Sequence, residues 1–415
     1  MKYELFIANH LRFNKGTNHS AVSTLNVAIT GIVLAIVIMV VSVSVVTGFK
    51  HTIVNKIGNL DSHIKIFNRH YDASGNISSS ITFTDGYKDF LSTKADSRIK
   101  SVVLIGEIPC VIKSKEGFAG LRFKGVDSNY DLSYHSNAIV DGKASINGDS
   151  IIISSITANK LNAKVGDRLF LYFMNESNIR VRRATVSGIF STDFDDYDAH
   201  LLLGNLAVLQ SVNNWDKNTG SYIGINCHML EDADATKESV VLNLSERVYS
   251  GNPEYSGEYS VSTIKENNPS HFSWLELLDT NIIVILGLMT FVACFAIISC
   301  LIIIILNRVS TIGTLKALGA TNKSIRRIFI FILMKIIMKA MIIGNLIAFT
   351  LLLLQKHFHI ITLNPETYFM SYVPIEFSSW LLLLNVGFII VALLALLLPS
   401  MIVASISPSK AIRFE

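Results

Sequence analysis

Three stretches of this 415-residue chain, 20–49, 280–307 and 377–409, contain no charged side chain and are filled largely with Val, Ile, Leu and Ala. A fourth, 328–354, is apolar except for Lys335 and Lys339. A bilayer core of about 30 Å needs around 20 apolar residues in a helix. Inside hydrocarbon the backbone must satisfy its own hydrogen bonds, which leaves α-helix as the form for each such run. Four transmembrane helices are expected, at 25–48, 276–306, 328–355 and 377–406. Only 16% of residues are charged, against about a quarter in soluble domains, so lipid must solvate part of the chain.

The charges are partitioned. Residues 49–275 hold 23 basic and 26 acidic side chains, as an ordinary water-soluble domain would, and the remaining pieces hold 13 and 6. The net charge of +4 therefore lies with the membrane-flanking segments, which argues against a nucleic-acid partner. Basic residues near span ends mark the cytoplasmic side. Lys2, Arg12 and Lys15 precede the first span, and Arg308, Lys316, Lys323, Arg326 and Arg327 lie between the second and third. Lys410 and Arg413 follow the fourth. Both termini are expected in the cytoplasm, with the large domain outside. The arm 1–24, with Tyr3, Phe6, Ile7, Leu11 and Phe13, reads as a short amphipathic segment on the cytoplasmic surface. The first span reads as an uncleaved signal anchor. If the lipid-embedded part of the third span starts near Ile336, Lys335 sits at the interface and Lys339 snorkels; the alternative is a functional charge facing a cavity.

The fold class expected for 49–275 is mixed α+β. Strands are read at 58–67, 101–112 and 120–126, a strand entering a helix at 149–161, a hairpin from 168–173 to 182–189 with a polar tip at 175–178, and a helix at 204–212. Chemistry is not found there. Asp193, Asp195, Asp196 and Asp198 lack the glycine and closing glutamate of a calcium loop and read as a solvated loop. His357 and His359 have no identifiable co-ligands, so no metal site and no cofactor are assigned. Cys294 and Cys300 read as packing residues, and Cys110 and Cys227 would pair only in an oxidising compartment. No nucleophile elbow, zinc-protease motif or CxxC is present. Without a P-loop motif the chain is not expected to be an enzyme, and an ATP-driven process would need its ATPase on another polypeptide.

Residues 307–327 read NRVSTIGTLKALGATNKSIRR. Ile312, Leu315, Leu318 and Ile325 recur near helical spacing, and Gly319 is a plausible C-cap. A short amphipathic helix must bury its apolar side in the lipid surface or in a partner's cleft. Ile312-Gly313-x-Leu315-Lys316-Ala317-Leu318-Gly319-Ala320 resembles the coupling-helix motif of the MacB/FtsX-type permeases of ABC transporters, and the ending from Pro399 through Pro408-Ser409-Lys410-Ala411-Ile412 is similar to their tail. Other segments resemble the LolC/LolE lipoprotein-releasing branch. Val41 to Phe49 is similar to its exit from the first span, followed by His63-Ile64. Lys124-Gly125-Val126-Asp127 resembles its RGVD. Val186 to Phe190 with Asp196-Tyr197-Asp198, and Asn364-Pro365-Glu366 with Tyr368, resemble two further motifs. The likeness runs in order over essentially the whole chain.

The resemblance implies a membrane permease subunit in the bacterial inner membrane, with a MacB-like periplasmic domain at 49–275, a coupling helix in 307–327, a periplasmic loop at 356–376 and a cytoplasmic tail at 407–415. It implies a LolD-like P-loop ATPase and a second permease protomer, either a copy or a LolC/LolE-type paralogue. Lipoprotein would be the cargo, passed to a LolA-like periplasmic carrier. The coupling residues would be Ile312, Gly313, Leu315, Lys316, Ala317, Leu318, Gly319 and Ala320, and the carrier-docking hairpin would include Asn175, Glu176, Arg182 and Arg183. Ser310-Thr311 stands where the family has an Arg-Glu pair, and the hairpin tip is short and lacks proline. The alternative is a MacB- or FtsX-like mechanotransmitter serving another substrate or a periplasmic partner.

Overall fold

The computed structural model describes residues 19–71, 77–92, 96–175, 178–251, 255 and 257–397. The expected amphipathic arm, the tail and Glu176 lie outside the described residues. The chain forms two compact units. One comprises Met1–Lys50, Trp274–Thr362 and Val373–Glu415, the other His51–Ser273 and Leu363–Tyr372.

The first unit is helical. Its elements are the greater part of α1 (His19–Leu60) and of α2 (Pro269–Leu306), with α3 (Val309–Ala317), α4 (Asn322–Phe358) and α5 (Trp380–Leu397). Three of these, α1, α2 and α4, are long and apolar enough to cross a membrane. The fourth expected span, 377–406, overlaps α5, a shorter apolar helix whose 18 residues reach about 27 Å at 1.5 Å per residue; residues 398–406 lie outside the described residues. The helices share one apolar core, with Ile32, Ile36 and Val40 from α1, Ile297 and Leu301 from α2, Phe329 and Ile337 from α4, and Phe388 and Ala392 from α5. Between α4 and α5, Asn345 Nδ2 donates to Asn385 Oδ1 at 2.8 Å and Asn385 Nδ2 to Asn345 Oδ1 at 3.3 Å. Each amide also donates to the carbonyl four residues back, Met341 O and Leu381 O. Two carboxamides in apolar helices thus satisfy each other.

The second unit is a mixed sheet with short helices against it, in keeping with the α+β expectation. Its strands are β1 Ile64–Tyr71, β2 Ile77–Ser79, β3 Ile81–Thr82, β4 Ile99–Lys113, β5 Phe118–Val126, β6 Ile139–Gly142, β7 Ser150–Ser154, β8 Arg168–Asn175, β9 Asn178–Phe190, β10 Leu201–Asn205, β11 Thr219–Gly220, β12 Tyr222–Cys227 and β13 Glu258–Thr263. The main sheet has the order β13-β1-β12-β4-β5-β10-β7-β9-β6, β2 pairs with β1, and β3 pairs with β11 apart from it. β8 pairs with both β4 and β9. Leu171, Phe173, Phe123, Ile153 and Leu209 fill one core, and Ile64, Ile66, Ile223, Ile225 and Tyr87 another.

One expectation needs correction here, and one open question, whether Cys110 and Cys227 pair, is answered. Residues 58–67 do not form one strand: α1 runs to Leu60 and β1 begins at Ile64. Residues 49–60 contain no proline to break the helix. It stops where Asp61 Oδ1 accepts the Ser62 N–H at 2.9 Å and Lys124, 2% exposed, donates its ammonium to Leu60 O at 2.8 Å, a cation on the negative helix end. Cys110 and Cys227 are both free and buried, and they sit in different cores. Burial pushes the Cys110 thiol up to about 12, so it stays protonated.

Candidate functional site

The α3 segment is built by its two ends. Its first intrahelical bond is Ile312 N–H to Arg308 O at 2.9 Å. At the far end Gly319, at φ +90°, donates to Lys316 O and Ala320 donates to Leu315 O, both at 3.0 Å. That pair of bonds is a Schellman motif, whose left-handed position suits glycine. Thr321 then caps α4, accepting the Ser324 N–H at 3.3 Å. Ile312 and Gly313 are buried, and Leu315 and Ala320 pack partly against the same core. Lys316 is half-buried, Ala317 and Gly319 are exposed, and Leu318 is 79% exposed. The expectation that Leu318 shares a face with Ile312 and Leu315 is therefore corrected. The Schellman turn reverses the chain after Ala317, and Ala320 takes the inward place that helical spacing gave to Leu318.

The hairpin is formed by β8 and β9, with Asn175 opposite Asn178 and Met174 opposite Ile179. Met174 and Ile179 are 72% and 65% exposed, an apolar cross-strand pair beside the tip. An open trough of ≈ 650 Å³ lies over Pro109, Val111, Gly120, Tyr172 and Met174. Arg182 is occupied within the chain: its Nη2 donates to Ser211 O at 3.2 Å and its Nε to Ser211 Oγ at 3.4 Å. Arg180 donates to Val212 O, and to Asn214 Oδ1 at 3.0 Å. The two guanidiniums thus satisfy carbonyls at the end of the Leu206–Asn213 helix, where cations are favoured. Arg183 lies 5.7 Å over the Phe170 ring.

A third constellation was not anticipated. Lys56 Nζ donates to Thr192 O at 2.7 Å and to Phe369 O at 3.1 Å. Ser371 Oγ donates to Asp193 Oδ2 at 3.0 Å, and the Phe194 and Phe369 rings stack at 4.7 Å beside His271. Asp193 and Phe369 both hold positive φ, 55° and 59°, a conformation a phenylalanine adopts only under constraint. Asp198 is 1% exposed and accepts the Thr192 N–H at 2.8 Å and its hydroxyl at 2.7 Å. The acidic run is therefore no solvated loop. Asp198 ties it closed, and burial lifts its carboxyl to about 6. Two segments singled out in the sequence, 193–198 and 364–371, meet at this clasp. No local pattern in the sequence marks it, because Lys56, Thr192 and Phe369 lie far apart along the chain.

The family model described as "MacB-like periplasmic core domain" matches residues 27–241, more than half of the chain, and "FtsX-like permease C-terminal" matches 283–408. A "Lipoprotein-releasing system transmembrane protein LolC" from Xylella fastidiosa (strain 9a5c) is 22% identical over 281 residues, covering 64% of this chain and 65% of that protein. The chain thus spans about two thirds of the length of that relative. The protein of the same description from Neisseria meningitidis serogroup B is 22% identical over 439 residues, covering 98% and 97%. Among solved structures, the periplasmic region of MacB from Actinobacillus actinomycetemcomitans aligns with TM-score 0.34 and 12% identity over 50% of this chain and 92% of that one.

Proposed function

The chain belongs to the MacB/FtsX-type permease family, non-catalytic membrane components of ABC transporters, and on that premise we propose that it is the permease of a lipoprotein-releasing complex of the bacterial inner membrane. ATP hydrolysis is assigned to a separate, LolD-like subunit, and the permease works with a second protomer, a copy or a paralogue. The cargo is a lipoprotein taken from the outer leaflet and handed to a LolA-like carrier. Each CH₂ leaving hydrocarbon costs about 0.8 kcal/mol. Moving several acyl chains therefore costs tens of kcal/mol, which calls for external work.

The observation that carries this reading is α3, a short helix between two membrane-length helices that buries Ile312 and Gly313 and leaves Ala317 and Leu318 outside. A rigid, one-sided helix is what an ATPase cleft could grip and push. The Asn345–Asn385 pair supports α5 as a fourth span, because a carboxamide facing lipid alone would be costly. Basic residues around α3 support a cytoplasmic placement of this segment and of both termini. Met174 and Ile179 support carrier docking at the hairpin tip, and Arg182 would serve there by holding the Leu206–Asn213 helix behind it.

The test is Leu318→Asp in the purified complex. Leu318 is exposed, so thermal unfolding should stay as in the wild type while the ATPase no longer co-purifies and ATP-dependent lipoprotein release stops. Normal ATPase retention and normal release in this variant would sink the coupling role. Retained, coupled ATPase with no lipoprotein release by the wild type would favour the second reading, a MacB- or FtsX-like mechanotransmitter for another substrate.

A further inference from the structure

Among the described residues, five that are not glycine hold positive φ. Asn162, Asn214 and His359 each close a helix in the left-handed conformation, a place such polar residues commonly fill. The other two, Asp193 and Phe369, both belong to the clasp. Phe369 follows the one-turn helix Pro365–Tyr368 and donates its N–H to Pro365 O at 2.9 Å, a position that glycine or asparagine takes with least strain. Strain of this kind persists only while the surroundings impose it, and it collects at elements that change state.

A few contacts impose it here. Lys56 Nζ donates to Phe369 O at 3.1 Å, Ser371 Oγ donates to Asp193 Oδ2 at 3.0 Å, and the Phe194 and Phe369 rings stack at 4.7 Å. Leu363–Tyr372 belongs to the second unit, although the residues on both sides of it in the chain belong to the first. Leu363 donates its N–H to Ser371 O at 3.0 Å, so the segment is a closed loop able to leave its seat in one piece. Its departure does not strand Lys56, which also holds Thr192 O at 2.7 Å and is attracted by Asp193, Asp195 and Asp198.

We propose that Leu363–Tyr372 is a releasable strap, seated here on Lys56 and the 192–198 segment, whose release relaxes Asp193 and Phe369 and frees the connection between α4 and α5 from the second unit. The seated strap is a loaded state: hydrogen bonds that water can replace hold it, and two strained backbone positions oppose them. Neither the cargo nor the ATPase enters into this; the strap is a property of the chain alone.

The experiment follows the reaction of Met370→Cys with N-ethylmaleimide in the full-length protein in detergent, read on each cysteine's own peptide by mass spectrometry. Met370 is 4% exposed in the seated strap. Cys110 and Cys227, buried in two cores of the same unit, report its global opening. The thiol at 370 should react about tenfold or more faster than either. Adding Lys56→Met, which removes a charged donor, should speed it by a further factor of about ten or more. Asp193→Asn suits the left-handed position, keeps an acceptor for Ser371, and should slow it severalfold. Chymotryptic cleavage after Phe369 gives the same comparison without the added cysteine. A thiol at 370 that reacts no faster than Cys110 and Cys227 would overturn the strap, because the segment would then open only with the whole unit. Equal acceleration of all three thiols by Lys56→Met, or faster cleavage in Asp193→Asn than in the wild type, would overturn it as well.

Discussion

A methyl group added at Gly48 would meet backbone. Its Cβ would lie 2.8 Å from Pro374 O and 2.9 Å from Glu376 N, and Glu376 donates its N–H to Ser44 O at 3.2 Å. The segment at 374–376 thus rests directly on α1, and only a residue without Cβ lets it come so close. A flexible side chain could swing away from such a clash, but two peptide groups cannot. Gly48→Ala should cost about 1–3 kcal/mol, read as a lowered melting temperature of the detergent-solubilised protein, while a substitution at the open position Gly387 should cost less than half as much. An unchanged melting temperature in Gly48→Ala would mean that the 374–376 contact adds nothing to the fold. Gly48 could be singled out in the sequence as part of the first span's exit, but its neighbour lies more than 300 residues away and no local pattern announces it. Asp198, set among three other aspartates, looks solvated in the sequence until Thr192 is folded against its carboxylate.

At the scale of elements, the Asn345–Asn385 pair offers a measurable coupling between α4 and α5. Each amide keeps a bond to its own helix as well, so a single Asn→Leu change strands only part of its partner's capacity. Interhelical hydrogen bonds in membranes average about 0.6 kcal/mol and reach about 1–2. A double-mutant cycle on Asn345→Leu and Asn385→Leu should give an interaction energy in that range by steric-trap or chemical unfolding. A value within error of zero would show that packing alone joins the two helices. The helices themselves were legible because uncharged apolar runs leave the backbone no other choice in lipid. The hairpin and the strands β4, β5 and β7 were legible from clustered Ile, Val and Phe between turn residues. The end of α3 was not. Helical periodicity extends a face by counting forward, and it has no term for the left-handed step at Gly319 that puts Ala320, and not Leu318, against the core. The 58–67 segment failed for a related reason: its helix is ended by Lys124, a residue from a strand far along the chain.

Over the whole molecule, two buried groups of the second unit should pull its stability in opposite directions as the pH changes. His135 is fully buried among Tyr130, Tyr134 and Phe190, and burial, with Lys124 adding to it, depresses its imidazole to about 3. Below its ordinary value of 6.5 the unfolded chain takes up a proton that the folded chain refuses, so stability falls as the pH drops from 6.5 toward 3. Asp198 is the reverse case. Its carboxyl is raised from 3.8 to about 6 by burial, so its contribution is fully present below 3.8 and is lost as the pH rises through 6. Between pH 4 and 6 the folded state gains one proton at Asp198 while the unfolded state gains one at His135, and the two slopes cancel. Removing either group exposes the other. In Asp198→Asn, stability should fall between pH 6 and 4 more steeply than in the wild type by about 1.4 kcal/mol per pH unit. In His135→Phe, which replaces an imidazole by a ring in an aromatic site, it should change by the same amount in the opposite sense. Chemical denaturation of the full-length protein at several pH values measures both slopes, and parallel curves for the wild type and both variants would show that neither group titrates differently on folding.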